Sequence, residues 1–270
     1  MKKVLALTLV LGALVLAGAW LDLLPGGWTL RRLAGRDEAA ERYLARRNER
    51  LATFAGERAA PGAVVFLGSS TIERFPLVER FPGAPALNRG IGDELLEELD
   101  ERLEASVPAD AAAVVLYAGS VEFRERPPGN AAAIVRELGA FVARLRELRP
   151  QATVLVLGIL PERAMPPERV TELRELNRQL AARARELGAS FLTTDFAPLA
   201  LPDGSLAELF SSDRLHLNAD GYTELARAIG TPPSPLAGLL ASPSSSPAAT
   251  PQAPNPMPST NESSRAGGLR

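Results

Sequence analysis

Cysteine does not occur anywhere in the 270 residues. Disulfides, thiolate zinc sites, a cysteine nucleophile and a lipidated N-terminal cysteine are therefore excluded. Histidine occurs once, as His216. A catalytic zinc centre would then need mostly carboxylate ligands, which is not how zinc is usually held. Neither a metal nor an organic cofactor is expected. Lysine is confined to Lys2 and Lys3, and every other basic side chain is arginine. With 30 basic and 32 acidic residues the formal charge is −2, and arginine alternates with glutamate along helical stretches, as on solvated helix faces. That balance leaves no electrostatic footprint for nucleic acid, and none is expected as a partner.

The ends of the chain differ in character from its middle. Met1-Lys2-Lys3 precedes an apolar run from Val4 to Leu16 with Thr8 as its one polar residue, followed by Ala17-Gly18-Ala19. A positive start, an apolar centre and small residues at an A-x-A position describe an export signal. Apolar character continues to Leu24, broken only by Asp22, and both tryptophans, Trp20 and Trp28, fall at its outer end. About 20 apolar residues suffice to span a bilayer, and interfacial tryptophan is typical of an anchor. Residues 1–30 are therefore expected to be a signal or membrane anchor, placing the protein outside the cytoplasm. Residues 31–60 form an amphipathic lead-in, helical over Asp37 to Ala55, that reaches from the membrane and packs on the domain. Thr231 to Arg270 is dominated by proline, serine, alanine and threonine. It offers too little apolar surface to offset its ordering entropy, so residues 231–270 are expected to be disordered.

Residues 61–230 alternate between two periodicities. Short apolar runs at Ala63–Leu67, Ala113–Tyr117, Thr153–Leu157 and Ser190–Thr193 fit strands buried on both faces. Helical patterns lie between and after them, at Glu94–Ala105, Asn130–Leu148, Pro167–Leu187 and Ala219–Ile229. The alternation predicts an α/β fold, a three-layer α/β/α sandwich around a mostly parallel sheet. Functional residues in such sheets collect in loops at the carboxyl ends of the strands.

Two segments carry chemistry. Val64-Val65-Phe66-Leu67-Gly68-Ser69-Ser70-Thr71 presents a hydroxyl directly after a strand. Ser70-Thr71-Ile72-Glu73 also matches a helix capping box, with the Ser70 side chain on the Glu73 amide. A hydroxyl at a helix N-terminus also sits where amides and the helix dipole favour developing negative charge. The second segment is Asp213-Arg214-Leu215-His216, which supplies an imidazole with a carboxylate three residues away. Serine, histidine and aspartate are the types that serve as nucleophile, general base and orienter of that base. Asn88-Arg89-Gly90-Ile91-Gly92 contains Gly-x-Gly, but it lacks the third glycine of a dinucleotide fingerprint and the acidic residue expected beyond it.

Taken in order, these segments resemble the SGNH/GDSL-type serine esterases over roughly Ala63 to Ile229. Gly68-Ser69-Ser70-Thr71 resembles the first block, with Ser70 at the nucleophile. Asn88-Arg89-Gly90-Ile91-Gly92-Asp93 resembles the second, which supplies an oxyanion-hole amide at Asp93. Ala118-Gly119-Ser120-Val121-Glu122 falls at the third, and Asp213-Arg214-Leu215-His216 matches the last. The resemblance implies a flavodoxin-like α/β/α fold, Ser70, Asp213 and His216 as catalytic residues, and Ser70, Asp93 and Val121 around the oxyanion. The sequence departs from the family pattern at three places. Ser69 replaces an aspartate and is a rival nucleophile, Asp93 stands where glycine is common, and Val121 replaces an asparagine that donates to the oxyanion. Loss of one such donor costs about 10²–10³ in kcat.

The expected function is a serine hydrolase of the cell envelope. It would cleave a carboxylic ester (an acetylated glycan, a short-chain ester or a lysophospholipid) through an acyl-enzyme. The alternative, suggested by Val121, is a weakened or inactive relative that binds an envelope ligand in the former cleft.

Overall fold

The computed structural model describes residues 12, 38–196 and 198–241. Apart from residue 12, the expected signal or anchor over residues 1–30 lies outside the described residues, as does most of the expected tail. Among the described residues, no helix is long and apolar enough to cross a membrane.

Five strands form one all-parallel sheet: β1 (Val64–Gly68), β2 (Ala86–Gly90), β3 (Ala113–Tyr117), β4 (Thr153–Leu157) and β5 (Ser190–Leu192), in the order β2-β1-β3-β4-β5. That order is the doubly wound, flavodoxin-like arrangement, and its switch point lies between β1 and β3. Every residue of β1 and β3 is buried. Alternate side chains serve opposite layers, as the period of two demands. Val65, Leu67, Val114, Leu116, Val154 and Val156 face one layer. It contains the helices α4 (Leu96–Glu101), α5 (Leu103–Ser106), α7 (Ala131–Leu148) and α8 (Pro167–Glu186). Val64, Phe66, Val115, Leu155 and Leu157 face the other layer. There lie α2 (Ser70–Glu73), α3 (Leu77–Arg80) and α9 (Ala219–Gly230). Each fully buried side chain of this size contributes about 1.5–3 kcal/mol. One further short helix, α6 (Ser120–Glu125), follows β3. The expected sandwich is the observed one.

Apart from element ends that shift by one residue, three features differ from expectation. The edge strand β2 does not stand out in the sequence. Ala86-Leu87-Asn88-Arg89-Gly90 has no β-branched residue and no alternation, and it is only half buried along its first three positions. Its strand character comes from pairing with β1 rather than from propensity. The expected helix over Glu94–Ala105 is broken at Arg102 (φ −103°, ψ 4°). There the guanidinium turns inward to Glu94, Ser106 and the Arg89 carbonyl.

The third difference corrects the disorder expected from Thr231 onward. Residues 231–241 are ordered and end in α10 (Ala237–Leu240), and Leu236 and Leu240 are buried in the same core as Phe81, Leu225 and Ile229. The composition of the whole stretch hides two leucines, Leu236 and Leu240, that are buried in the layer containing α9.

The lead-in helix α1 (Glu38–Gly56) agrees with the expected helix to within one residue at each end. It buries Tyr43 and Phe54 against Ile91, and Ile91 is in the loop after β2.

Candidate active site

The turn after β1 is shaped by two glycines. Gly68 has φ +146°, and a Cβ there would lie 1.9 Å from the Tyr117 carbonyl oxygen. Only glycine fits the turn. It lets the Ser69 amide donate to that same carbonyl at 3.2 Å. Gly90, at the end of β2, would place a Cβ 2.1 Å from the Glu73 amide nitrogen, so α2 sits directly on β2. Asn88 secures this contact by donating to the Ile72 carbonyl at 2.6 Å. Behind α2, Phe66, Phe75, Phe81 and Tyr222 form an aromatic cluster with centroid separations of 5.1–6.0 Å.

Ser70 is the first residue of α2, preceded by Ser69 in an extended conformation. Its amide therefore belongs to the first turn, whose N–H groups have no acceptor within the helix. The capping box expected at Ser70–Glu73 does not form. The Glu73 amide bonds to the Ser69 carbonyl instead. The Glu73 carboxylate leaves the helix altogether and accepts from the Gly92 amide at 2.6 Å. The Ser70 hydroxyl is thereby free to face elsewhere.

It faces His216. Ser70 Oγ lies 3.1 Å from His216 Nε2, and His216 Nδ1 lies 2.8 Å from Asp213 Oδ2. In the tautomer that satisfies both contacts, Nδ1–H donates to the carboxylate and Nε2 accepts the serine proton. Asp213 is held by its own turn, because its Oδ1 accepts from the Leu215 and His216 amides, each at 2.7 Å. Partial burial opposes ionisation of Asp213. The hydrogen bonds from the His216 amide and ring and from Leu215 outweigh it and keep the carboxyl well below its ordinary range. A carboxylate that stays ionised is what an orienting partner of imidazole requires.

The histidine loop is fixed at both ends. Ser211 pairs with Leu217 in an antiparallel bridge, and Ser212 donates its amide to the His216 carbonyl at 3.0 Å. Asn218 caps α9 by accepting from the Gly221 amide at 3.0 Å. Tyr222, one turn further on, donates from its buried hydroxyl to the Thr71 carbonyl at 2.9 Å. That bond ties the element carrying His216 to the helix carrying Ser70.

The remaining expected residues also border this edge of the sheet. Asp93 adopts a left-handed conformation, φ 60°, which explains why glycine suits the position. Its carboxylate is drawn outward by Arg46 at 2.9 Å and Arg124 at 3.4 Å, so its charge is offset by two guanidinium groups. Val121 is the second residue of α6 and is 3% exposed; it offers no side-chain donor. Gly90 and Gly92 accommodate Glu73, so Gly-x-Gly here is a packing device and not a dinucleotide cradle.

Sequence reasoning missed three residues. Glu73 holds Gly92, but in the sequence it reads as a capping residue. Arg46 reaches the same loop from α1. Glu122 is buried after Val121 and accepts from the Leu96 amide at 2.6 Å, which anchors the segment leaving Asp93. Burial pushes the Glu122 carboxyl up. The local signal for it was a charged residue at a position whose neighbours, Val121 and Phe123, are both buried.

Fold and site together define a class: a flavodoxin-like α/β/α domain with serine, histidine and aspartate meeting at the carboxyl edge of a parallel sheet. Residues 66–223 match the GDSL-like Lipase/Acylhydrolase family. The chain is 32% identical over 177 residues to the platelet-activating factor acetylhydrolase IB subunit alpha1 of Rattus norvegicus, covering 62% of this chain and 72% of that one. Its fold is similar to a solved structure described as a platelet activating factor from Streptococcus pneumoniae (TM-score 0.63, 20% identity, 70% of this chain and 93% of the other). It is also similar to a GDSL-like lipase from Bacteroides thetaiotaomicron (TM-score 0.54, 21% identity, 67% and 94%). The chain belongs to the GDSL-like lipase/acylhydrolase family and is an ester-cleaving hydrolase.

Proposed function

We propose that the protein hydrolyses small acyl esters, acetyl esters above others, by acyl transfer through Ser70. His216 takes the Ser70 proton as Oγ attacks the carbonyl carbon, and Asp213 stabilises the imidazolium that forms. The Ser70 and Asp93 amides hold the oxyanion of the tetrahedral intermediate. Collapse expels the alcohol with the proton from His216, and water activated by the same imidazole then releases the acid. The observation that carries this reading is the unbroken contact series from Asp213 through His216 to Ser70, built around the only histidine in the chain. The preference for acetyl is supported by the relatives named as acetylhydrolases. The apolar segment after Lys3 supports an envelope location, and with it an acetylated glycan or lipid-derived ester as substrate.

The test is labelling with a fluorophosphonate probe followed by peptide mass spectrometry, alongside hydrolysis of p-nitrophenyl acetate, butyrate and octanoate. Modification at Ser70, with kcat/KM highest for acetate, is the expected result. Folded protein that neither labels nor turns over any of the three esters would favour ligand binding in the cleft instead. Cell fractionation with and without residues 2–24 tests the location, and a full-length protein found in the cytoplasm would overturn it.

A further inference from the structure

Helix α1 lies outside the part of the chain that matches the family, residues 66–223, yet one of its side chains reaches the site. Arg46 Nη2 donates to the Gly92 carbonyl at 2.8 Å and to Asp93 Oδ2 at 2.9 Å. The Gly92 carbonyl and the Asp93 N–H belong to one peptide plane. In a trans peptide the two groups point in opposite directions and cannot turn independently. We infer that Arg46 is a positioning residue for the oxyanion hole. By holding the Gly92 carbonyl toward α1, it turns the Asp93 N–H away from α1 and fixes the donor's direction.

Three further observations support this assignment. The Gly92 amide on the preceding plane is held by Glu73 of the nucleophile helix at 2.6 Å, so the loop is gripped from α1 on one side and from α2 on the other. A Cβ on Gly92 would meet Glu73 Oε2 at 2.6 Å and Arg46 Nη2 at 3.3 Å, which leaves the loop no room for a side chain between the two. Asp93 has a left-handed backbone that a non-glycine residue adopts at some cost, and the bond from Arg46 to its carboxylate offsets that cost. A cation on the carbonyl also polarises the peptide, which makes its N–H a stronger donor.

The inference rests on the acyl-transfer reading above and adds a dependence on α1. Arg46→Ala should lower kcat on p-nitrophenyl acetate about tenfold to a hundredfold with little change in KM. A misaimed donor stabilises the transition state less without affecting ground-state binding. Arg46→Lys should restore part of the loss, and millimolar guanidinium chloride should partly rescue Arg46→Ala. Arg47→Ala removes contacts from the same helix to the Glu98 carbonyl and to the Glu101 and Glu94 carboxylates, none of them on the Gly92–Asp93 peptide, and should leave kcat near wild type. An equal fall in Arg47→Ala would mean that docking of α1 matters and the peptide lock does not. The Asp93→Gly background separates carbonyl from carboxylate. Arg46→Ala should still lower kcat there, and loss of the effect would overturn the lock in favour of simple charge neutralisation. A wild-type protein inert to probe and esters overturns the function and this inference together. An active wild type with an unaffected Arg46→Ala overturns the inference alone.

Discussion

Ser69 Oγ lies 3.3 Å from Ser120 Oγ, while the hydroxyl of its neighbour Ser70 bonds to His216. The two adjacent serines therefore face different partners, and only one of them has a base. Ser69 is 2% exposed and joins the turn after β1 to the start of α6. Ser70→Ala should abolish fluorophosphonate labelling and reduce kcat by about 10³-fold or more, since nucleophile and base act as a unit. Ser69→Ala should keep the label and lose only a modest factor in turnover. Labelling that survives in Ser70→Ala and disappears in Ser69→Ala would reverse the assignment. His216→Ala should be as inactive as Ser70→Ala, because the chain has no second imidazole.

The histidine made this site legible in the sequence. With a single imidazole, Asp213 three residues before it stood out as its partner, whereas Ser70, with Ser69 beside it as a rival, was singled out by resemblance to the family's first block. The elements α1, α7, α8 and α9 were legible for a similar local reason, namely strong apolar spacing with clear ends. The supports of the site were not legible. Arg46 meets Gly92 across 46 positions and Glu122 meets Leu96 across 26, and nothing local marks either pair. Glu73 misled because its spacing from Ser70 suits two different roles, a cap and a bridge to Gly92. The strand β2 was hidden because its residues serve the loop contacts of Asn88 and Arg89 more than any strand pattern.

The ordered segment after Gly230 changes what truncation should do. Leu236 has no exposed surface and Leu240 is 4% exposed, both packed in the layer that contains α9. Removing everything beyond Gly230 should destabilise the domain, and Leu236→Ala alone should cost about 2–5 kcal/mol. Urea unfolding of the two variants measures this directly. Unchanged midpoints would mean that the leucines do not contribute to the core they touch.

Glu122 should make stability fall with rising pH. Its folded pKa is raised by burial. Its contribution is therefore fully present below the pKa of an unfolded glutamate, about 4.3, and is lost as pH climbs through the folded value. Glu122→Gln keeps an acceptor for the Leu96 amide and cannot ionise. The difference in unfolding free energy between variant and wild type should be smallest near pH 4 and should grow in favour of glutamine toward pH 9. Glu94, which shifts in the same direction, is present in both proteins and cancels. A difference that stays flat across this range would show that Glu122 does not titrate abnormally in the fold.

The position of Val121 gives the most exposed prediction. It stands where the family resemblance implies a side-chain donor to the oxyanion, and valine has none. Val121→Asn should add an interaction made only in the transition state, which raises kcat more than it lowers KM. The gain should be severalfold, well short of the roughly 10²–10³ that a native donor is worth, because the surrounding loop is built around valine. The cost falls on stability. Val121 is 3% exposed, and an amide placed there without all its hydrogen bonds is penalised by about 1–3 kcal/mol. Steady-state kinetics on p-nitrophenyl acetate and a thermal melt should therefore move in opposite directions, with kcat rising and Tm falling. A folded variant with unchanged or reduced kcat would sink the idea of a missing donor. It would mean that the Ser70 and Asp93 amides, or the nearby Ser120 hydroxyl, already complete the hole.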